Sequence, residues 1–200
     1  MTFKEVHKTC KPFTMTCKER MRALYDAIYE IEEKGIPGDL IEVGVWKGGN
    51  LMLMALVLND MGSDRRVWGF DTFEGMPELG EFDVNYDGTV PDFSRRNNLA
   101  VSIEDVKRVL STVPYLVKLV KGKIEDTIVQ APNQIALLRI DTDLYSSTRK
   151  SLELWDKVPK GGVLIDDDYY RFKGAKLAID EVITGFERIG KSNAIILTKH

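Results

Sequence analysis

Five aspartates stand at the ends of two apolar runs. Ile135-Ala-Leu-Leu-Arg-Ile140 reads as a buried strand broken only by Arg139, and it runs into Asp141 and Asp143 where the pattern turns polar. Gly161-Gly-Val-Leu-Ile165 likewise runs into Asp166, Asp167 and Asp168. In open α/β sheets ligands bind beyond the carboxyl ends of the strands, because the strand-to-helix loops open there. Carboxylates crowded into a partly desolvated cleft repel one another. They stay ionised around a cation, and otherwise some carry protons. A hard divalent ion held by carboxylate oxygens is the economical explanation. The bland alternative is that Asp141 and Asp143 cap the following helix, where acids favour the N-terminal dipole.

A second constellation surrounds Asp39-Leu-Ile-Glu-Val-Gly-Val-Trp-Lys-Gly-Gly49, which reads as strand, glycine turn and helix start. Its Gly44-x-x-x-Gly48 spacing is not G-x-G-x-x-G, so close backbone approach to a pyrophosphate is not indicated. Asp71 ends the next strand, where a carboxylate can take both hydroxyls of a ribose. A nucleoside cofactor without a pyrophosphate fits this pairing, with S-adenosylmethionine the prime candidate. Glu42 is then a candidate for the amino group or the methionine end. The competing reading is that Gly44 and Gly48 only permit a tight turn.

The two half-sites make coherent chemistry together. An aliphatic hydroxyl holds its proton tightly, and a divalent metal lowers its pKa and fixes it in line with a sulfonium methyl group. Asp143 can take the proton, and positioning for direct displacement supplies much of the rest. No covalent intermediate is needed, which suits a chain whose only histidines are His7 and His200.

Composition narrows the class. Two hundred residues, 44% hydrophobic and 30% charged, suit one ordinary globular domain. A net charge of −3 without a basic run gives no footprint for nucleic acid. The apolar run 51–58 is too short to span a bilayer. The opening residues lack the apolar core of a signal peptide, and Cys10 and Cys17 form no C-x-x-C pair. A cytoplasmic protein with reduced thiols is expected.

The elements that must position these residues follow from periodicity. Residues 1–15 are weakly patterned and read as a surface arm. Thr16-x-x-Glu19 reads as a capping box opening a helix, with Met21, Leu24, Tyr25, Ile28 and Ile31 at helical spacing and Gly35 as its stop. Strands are expected over 39–45, 66–71, 115–120, 135–140, 163–165 and 194–198. Helices are expected over 49–61, from Ser102 onward, over 147–157 and over 174–186. This alternation predicts a doubly wound, mainly parallel sheet with helices on both faces. Residues 72–101, rich in Gly, Pro, Asn and Asp, read as a lid or substrate loop. Arg139 reads as a structural partner for a neighbouring acid, and Trp46, Met52 and Met54 as core. Tyr145 and Tyr169 are open between packing and substrate contact, and Arg95-Arg96 reads as a solvated loop tip.

Several stretches resemble the macrocin O-methyltransferase family over residues 14–183. They are Gly35-Ile-Pro-Gly-Asp-Leu-Ile-Glu-Val-Gly-Val-Trp-Lys-Gly-Gly49, Phe70-Asp-Thr-Phe-Glu-Gly-Met-Pro77, Leu138-Arg-Ile-Asp-Thr-Asp-Leu-Tyr-Ser-Ser-Thr148, and Gly174-Ala175 with Asp180-Glu181. The resemblance implies a Rossmann-like class I fold and magnesium- or manganese-dependent methyl transfer from S-adenosylmethionine. The acceptor it implies is a hydroxyl on a sugar-containing small metabolite of the macrolide and related antibiotic class. It makes Asp141, Asp167 and Asp168 the metal ligands, and Asp143 the general base or a further ligand. Glu42, Gly44, Asp71 and Gly122 match cofactor-contact positions, with Gly48 and Asp141 beside them and Glu125 near the adenine edge. Asp166 departs from the family pattern, which leaves a slip to Asp166-Asp167 open. The short C-terminus implies an abbreviated closing hairpin, and family members commonly form dimers or larger assemblies. Two other classes compete: a carboxylate-metal hydrolase on a phosphorylated compound, and a non-catalytic cofactor-binding module.

Overall fold

The apolar runs form strands β1 Asp39–Val43, β2 Val67–Asp71, β3 Val117–Lys121, β4 Ile135–Ile140, β5 Val163–Asp166, β6 Glu187–Arg188 and β7 Ile195–Thr198. The computed structural model describes residues 1–94, 99–184, 187–188 and 194–200, with 187–188 described by backbone alone. Among the described residues these strands make one sheet in the order β3-β2-β1-β4-β5-β7-β6. β1 to β5 pair in parallel, β7 runs antiparallel to β5, and β6 antiparallel to β7. The mainly parallel, doubly wound sheet is therefore present. A closing hairpin is present too, its outer strand only 2 residues long as described.

Strand order reverses at β1, whose neighbours are β2 on one side and β4 on the other. Loops leaving β1 and β4 diverge there, and a crevice opens between them. Gly44 makes the floor of that crevice possible. Its φ is +87°, and a Cβ would stand 2.0 Å from the carbonyl oxygen of Asp141.

The helices are α1 Phe3–Cys10, α2 Lys18–Glu33, α3 Gly49–Met61, α4 Ile103–Leu110, α5 Ile124–Thr127, α6 Tyr145–Ser151 and α7 Lys173–Val182. α1 to α4 cover one face of the sheet through Val6, Met21, Leu24, Leu51 and Val106. α5 to α7, with the 3-10 turns that follow α5 and α6, cover the other through Ile124, Ile128, Leu152, Ala178 and Ile179. α3, apolar almost all round, is wrapped by α1, α2, α4 and the sheet. No helix is long and apolar enough to cross a membrane among the described residues.

Several expectations need correction. Residues 1–15, read as a weakly patterned surface arm, contain a helix: Phe3–Cys10 is helical, and its capping box is Thr2 with Glu5. Val6 and Cys10, four apart, are both fully buried, and that packing fixes the helix. Thr16 does not cap α2, whose N-cap is Cys17 without a side-chain bond. Its hydroxyl is taken by buried partners described below. The short α5 was not signalled, and α6 opens at Tyr145 and continues as a 3-10 turn over Leu152–Lys157. α7 ends at Val182, and the rest of the expected 174–186 helix runs partly outside the described residues. Arg95 and Arg96 also lie outside them.

Candidate active site

The β1–α3 turn is shaped from beneath by Asp71. Its Oδ2 accepts from the Val45 amide at 2.7 Å and the Trp46 amide at 3.1 Å, and its Oδ1 accepts from the Phe73 amide at 2.7 Å. One carboxylate thus ties the loops after β1 and β2 together. Trp46 (φ +49°), Phe73 (φ +55°) and Asp143 (φ +62°) are non-glycine residues in the left-handed region, each just beyond a central strand. Such residues cost about 1 kcal/mol or more and persist where surroundings over-determine them. Gly48, with φ +85°, closes the turn into α3, and Gly49 admits the Phe13 carbonyl, which would lie 2.7 Å from a Cβ. Gly122 follows β3 with φ +138° and donates its amide to the Asp71 carbonyl at 2.9 Å. Glu125 is exposed on the first turn of α5.

Arg139 is the electrostatic centre. The β1–β4 register sets it beside Glu42, and only 1% of it is exposed. Nη1 donates to Glu42 Oε1 at 2.5 Å, and Nη2 donates to Asp167 Oδ2 at 2.6 Å. Nη2 also lies 3.1 Å from Asp141 Oδ2 and donates to Thr16 Oγ1 at 3.1 Å. Asn50 Nδ2 donates to the same hydroxyl at 3.1 Å, and Arg20 Nη1 stands 3.5 Å from Asp167 Oδ2. Arg139 is thus the structural partner expected of it. Four buried polar atoms of this network have no hydrogen-bond partner among the described residues: the acceptors Glu42 Oε2, Asn50 Oδ1 and Asp167 Oδ1, and the donor Arg20 Nε.

The three aspartates at the end of β5 have separate tasks. Asp166 Oδ1 accepts from the amides of Asp168 at 2.9 Å and Tyr169 at 2.7 Å, which folds the turn. Asp167 joins Arg139, and Asp168 Oδ2 accepts from the Asp143 amide at 2.8 Å. Asp166 Oδ1 is therefore engaged in the turn, while Asp166 Oδ2, like Asp167 Oδ1, is buried without a hydrogen-bond partner among the described residues.

Burial pushes Asp141 up to about 8, with Asp167 and Asp168 adding to the rise and Arg139 opposing it. Glu42 is likewise raised by burial to about 8, against the pull of Arg139. Asp143 rises to about 6 through burial and the Asp141 charge. Asp166 and Asp168 are raised well above the usual carboxylate range, by burial first and neighbouring aspartates next. Burial works against the Arg139 charge, but Asp167, Asp141 and Glu42 outweigh it and keep the guanidinium protonated.

Asp141, Asp143, Asp167 and Asp168 therefore meet at the ends of β4 and β5, as their spacing implies. Among the described residues no group of three or more His, Cys, Asp or Glu side chains is arranged to hold a metal ion as it stands. Arg139 Nη2 lies against both Asp141 and Asp167 and supplies the positive charge between them. The donor chemistry still fits a hard cation, because Asp167 Oδ1 is buried and unpartnered in an acid-rich cleft. Glu42 lies near the end of β1 and is fully buried. Thr16, Arg20 and Asn50 were not singled out from sequence. Thr16 was masked by its resemblance to a helix cap, and no local pattern marks Arg20 or Asn50.

Comparison with known proteins fits this geometry. Residues 7–187 match the macrocin O-methyltransferase (TylF) family. The demethyldecarbamoylnovobiocin O-methyltransferase of Streptomyces niveus is 37% identical over 181 residues, 87% of this chain and 69% of that one. The 8-demethyl-8-(2,3-dimethoxy-alpha-L-rhamnosyl)-tetracenomycin-C 4'-O-methyltransferase of Streptomyces olivaceus is 38% identical over 162 residues, covering 78% of this chain and 62% of that one. The solved structure of the O-methyltransferase NovP superposes with a TM-score of 0.80 at 33% identity, covering 94% of this chain and 82% of that chain. With the Rossmann-like class I sheet and acid-lined crevice in place, the chain belongs to the macrocin O-methyltransferase family of S-adenosylmethionine-dependent enzymes.

Proposed function

We propose that the protein transfers the methyl group of S-adenosylmethionine to a hydroxyl of a sugar-containing small metabolite, assisted by magnesium or manganese. The observation that carries this reading is the meeting of the β1 turn with the acid cluster of β4 and β5 across a contact that only Gly44 permits. A cofactor at the turn and a hydroxyl at the acids would then lie side by side.

The cofactor supplies an electrophilic methyl group, and the residues present fit it. Asp71, partly exposed at the end of β2, is the candidate for the ribose hydroxyls, its carboxylate oriented by the amides of Val45, Trp46 and Phe73. Glu42 Oε2, Asn50 Oδ1 and Asp167 Oδ1 offer three acceptors, and Arg20 Nε offers one donor. That set complements an α-ammonium and its neighbouring carboxylate, the methionine end of the cofactor. Gly122 and Glu125 flank the β3 end, beside Asp71, where the adenine would lie.

Asp141, Asp167 and Asp168 are the residues that would hold the cation, which when bound lowers the pKa of the acceptor hydroxyl. Asp143 serves as the base. In the metal-free protein, burial and the Asp141 charge raise it above the ordinary carboxylate value, which favours proton acceptance. Its left-handed backbone and its amide bond to Asp168 fix where the carboxylate points. Arg139 keeps the buried acids together before any ligand arrives.

The test is methyl transfer from labelled S-adenosylmethionine to glycosylated acceptors, beginning with demethyldecarbamoylnovobiocin, with wild type and Asp143→Asn. Labelled product that Asp143→Asn fails to form supports the reading. Release of phosphate from phosphorylated compounds in the absence of S-adenosylmethionine, with no methyl transfer to any acceptor, would overturn it.

A further inference from the structure

We propose that Asp83, in the loop between β2 and α4, is a positioning residue that latches this loop to the turn carrying Asp143. The inference rests on the role given to Asp143 and Asp168 above and adds the loop that commands them.

Asp83 is unusual for a loop acid. Only 3% of it is exposed, and both carboxylate oxygens accept from backbone amides. Oδ2 takes the Gly80 amide at 2.8 Å, and Oδ1 takes the Tyr145 amide at 2.7 Å. Tyr145 is the first residue of α6, two positions after Asp143. A free N-terminal amide of a helix needs a partner, and a carboxylate there is favoured by charge as well as by the bond.

The latch has further fastenings. Lys173 donates its amide to the Val84 carbonyl at 2.9 Å, Asn85 bridges Phe172, and Tyr86 Oη donates to the Tyr169 carbonyl at 3.0 Å. The Phe82 and Tyr145 rings lie 4.8 Å apart. The loop is thus sewn to the starts of α6 and α7, the two helices that leave the acid-bearing strands. Gly174 admits it there, since a Cβ would stand 2.9 Å from both Asp83 Oδ1 and the Phe82 carbonyl.

What the latch controls is the Asp143 turn. Asp143 has φ +62°, which a side-chain-bearing residue keeps only when both ends of the turn are held. One end is the Asp143 amide on Asp168 Oδ2. Thr142 and Thr148 hydroxyls, 3.0 Å apart, and the Asp83–Tyr145 bond secure the other. Releasing Asp83 frees the start of α6, lets the turn relax, and moves Asp143 and Asp168 together. The same loop therefore shapes the acceptor's surroundings and sets the base.

The experiment compares Asp83→Ala and Gly174→Ala with wild type and with Asp87→Asn, an exposed acid of the same loop. Gly174→Ala places a good helix former inside α7, so its effects are not those of a weakened helix. Amide hydrogen exchange is read at Asp143, Tyr145 and, as a global reference, Ile41. Magnesium titration is read with S-adenosylhomocysteine bound. Both latch variants are expected to exchange Asp143 and Tyr145 about 10-fold faster or more, with Ile41 unchanged and magnesium affinity about 10-fold weaker. Asp87→Asn should match wild type. Normal Asp143 protection and normal magnesium affinity in both latch variants would overturn the proposal, even if Tyr145 alone were freed. Failure of wild type to bind S-adenosylhomocysteine or magnesium would instead sink the proposed function, and the exchange data would still decide whether the latch exists.

Discussion

Replacing Arg139 with Met tests whether one guanidinium holds the acid cluster together. The substitution keeps an apolar stem in β4 but leaves Glu42, Asp141 and Asp167 without the cation that contacts all three. Breaking a buried ion pair from one side costs about 3–5 kcal/mol. Unfolding entropy of about 2.1 cal/mol/K per residue turns that into a fall in Tm of about 7–12 °C for a chain this size. Protons soften the loss. Burial already raises Glu42 and Asp141 to about 8, so the folded, metal-free protein holds protons that the unfolded chain has released. Stability of both proteins must then fall as pH rises from about 5 to about 8. In the variant the fall should continue to higher pH, because the charge opposing those shifts is gone. Thermal melts in chelator across that range and above it measure both effects. Arg139→Lys should lie between, since an ammonium keeps the charge without the fork. A variant melting within about 2 °C of wild type near pH 8 would refute the reasoning.

Other substitutions probe the remaining parts. Gly44→Ala forces a Cβ against the Asp141 carbonyl at a positive φ, and should cost about 2–5 kcal/mol by chemical denaturation and abolish cofactor binding. Arg20→Ala should weaken S-adenosylhomocysteine about 10-fold but leave methylthioadenosine, which lacks the amino-acid end, unchanged by calorimetry. Equal losses for both ligands would place Arg20 outside that contact. Asp71→Ala should weaken both ligands alike and speed exchange of the Val45, Trp46 and Phe73 amides, since one carboxylate binds all three.

The sheet was legible because its strands are apolar runs punctuated by Gly, Pro and acids, and the acids at their ends marked the crevice. Asp141, Asp143, Asp167 and Asp168 meet because they follow adjacent parallel strands, an arrangement that alternation of strand and helix implies. Thr16 shows where local reading fails: T-x-x-E fits a capping box, yet the hydroxyl serves Arg139, 123 residues away in sequence. A long-range bond of this kind leaves no local pattern. α1 was missed because only Val6 and Cys10 of it are buried, too few for a visible period. Asp83 sits in a stretch without periodicity, and its importance appears only when α6 and α7 are set against it.

Calorimetric titration of S-adenosylhomocysteine and then magnesium, into wild type and Asp141→Asn, tests the central claim most directly. Wild type should bind both, and Asp141→Asn should keep the nucleoside but lose magnesium by a factor of about 100. No binding of S-adenosylhomocysteine to wild type under either condition would contradict the cofactor site, and magnesium uptake unchanged in Asp141→Asn would contradict the metal assignment.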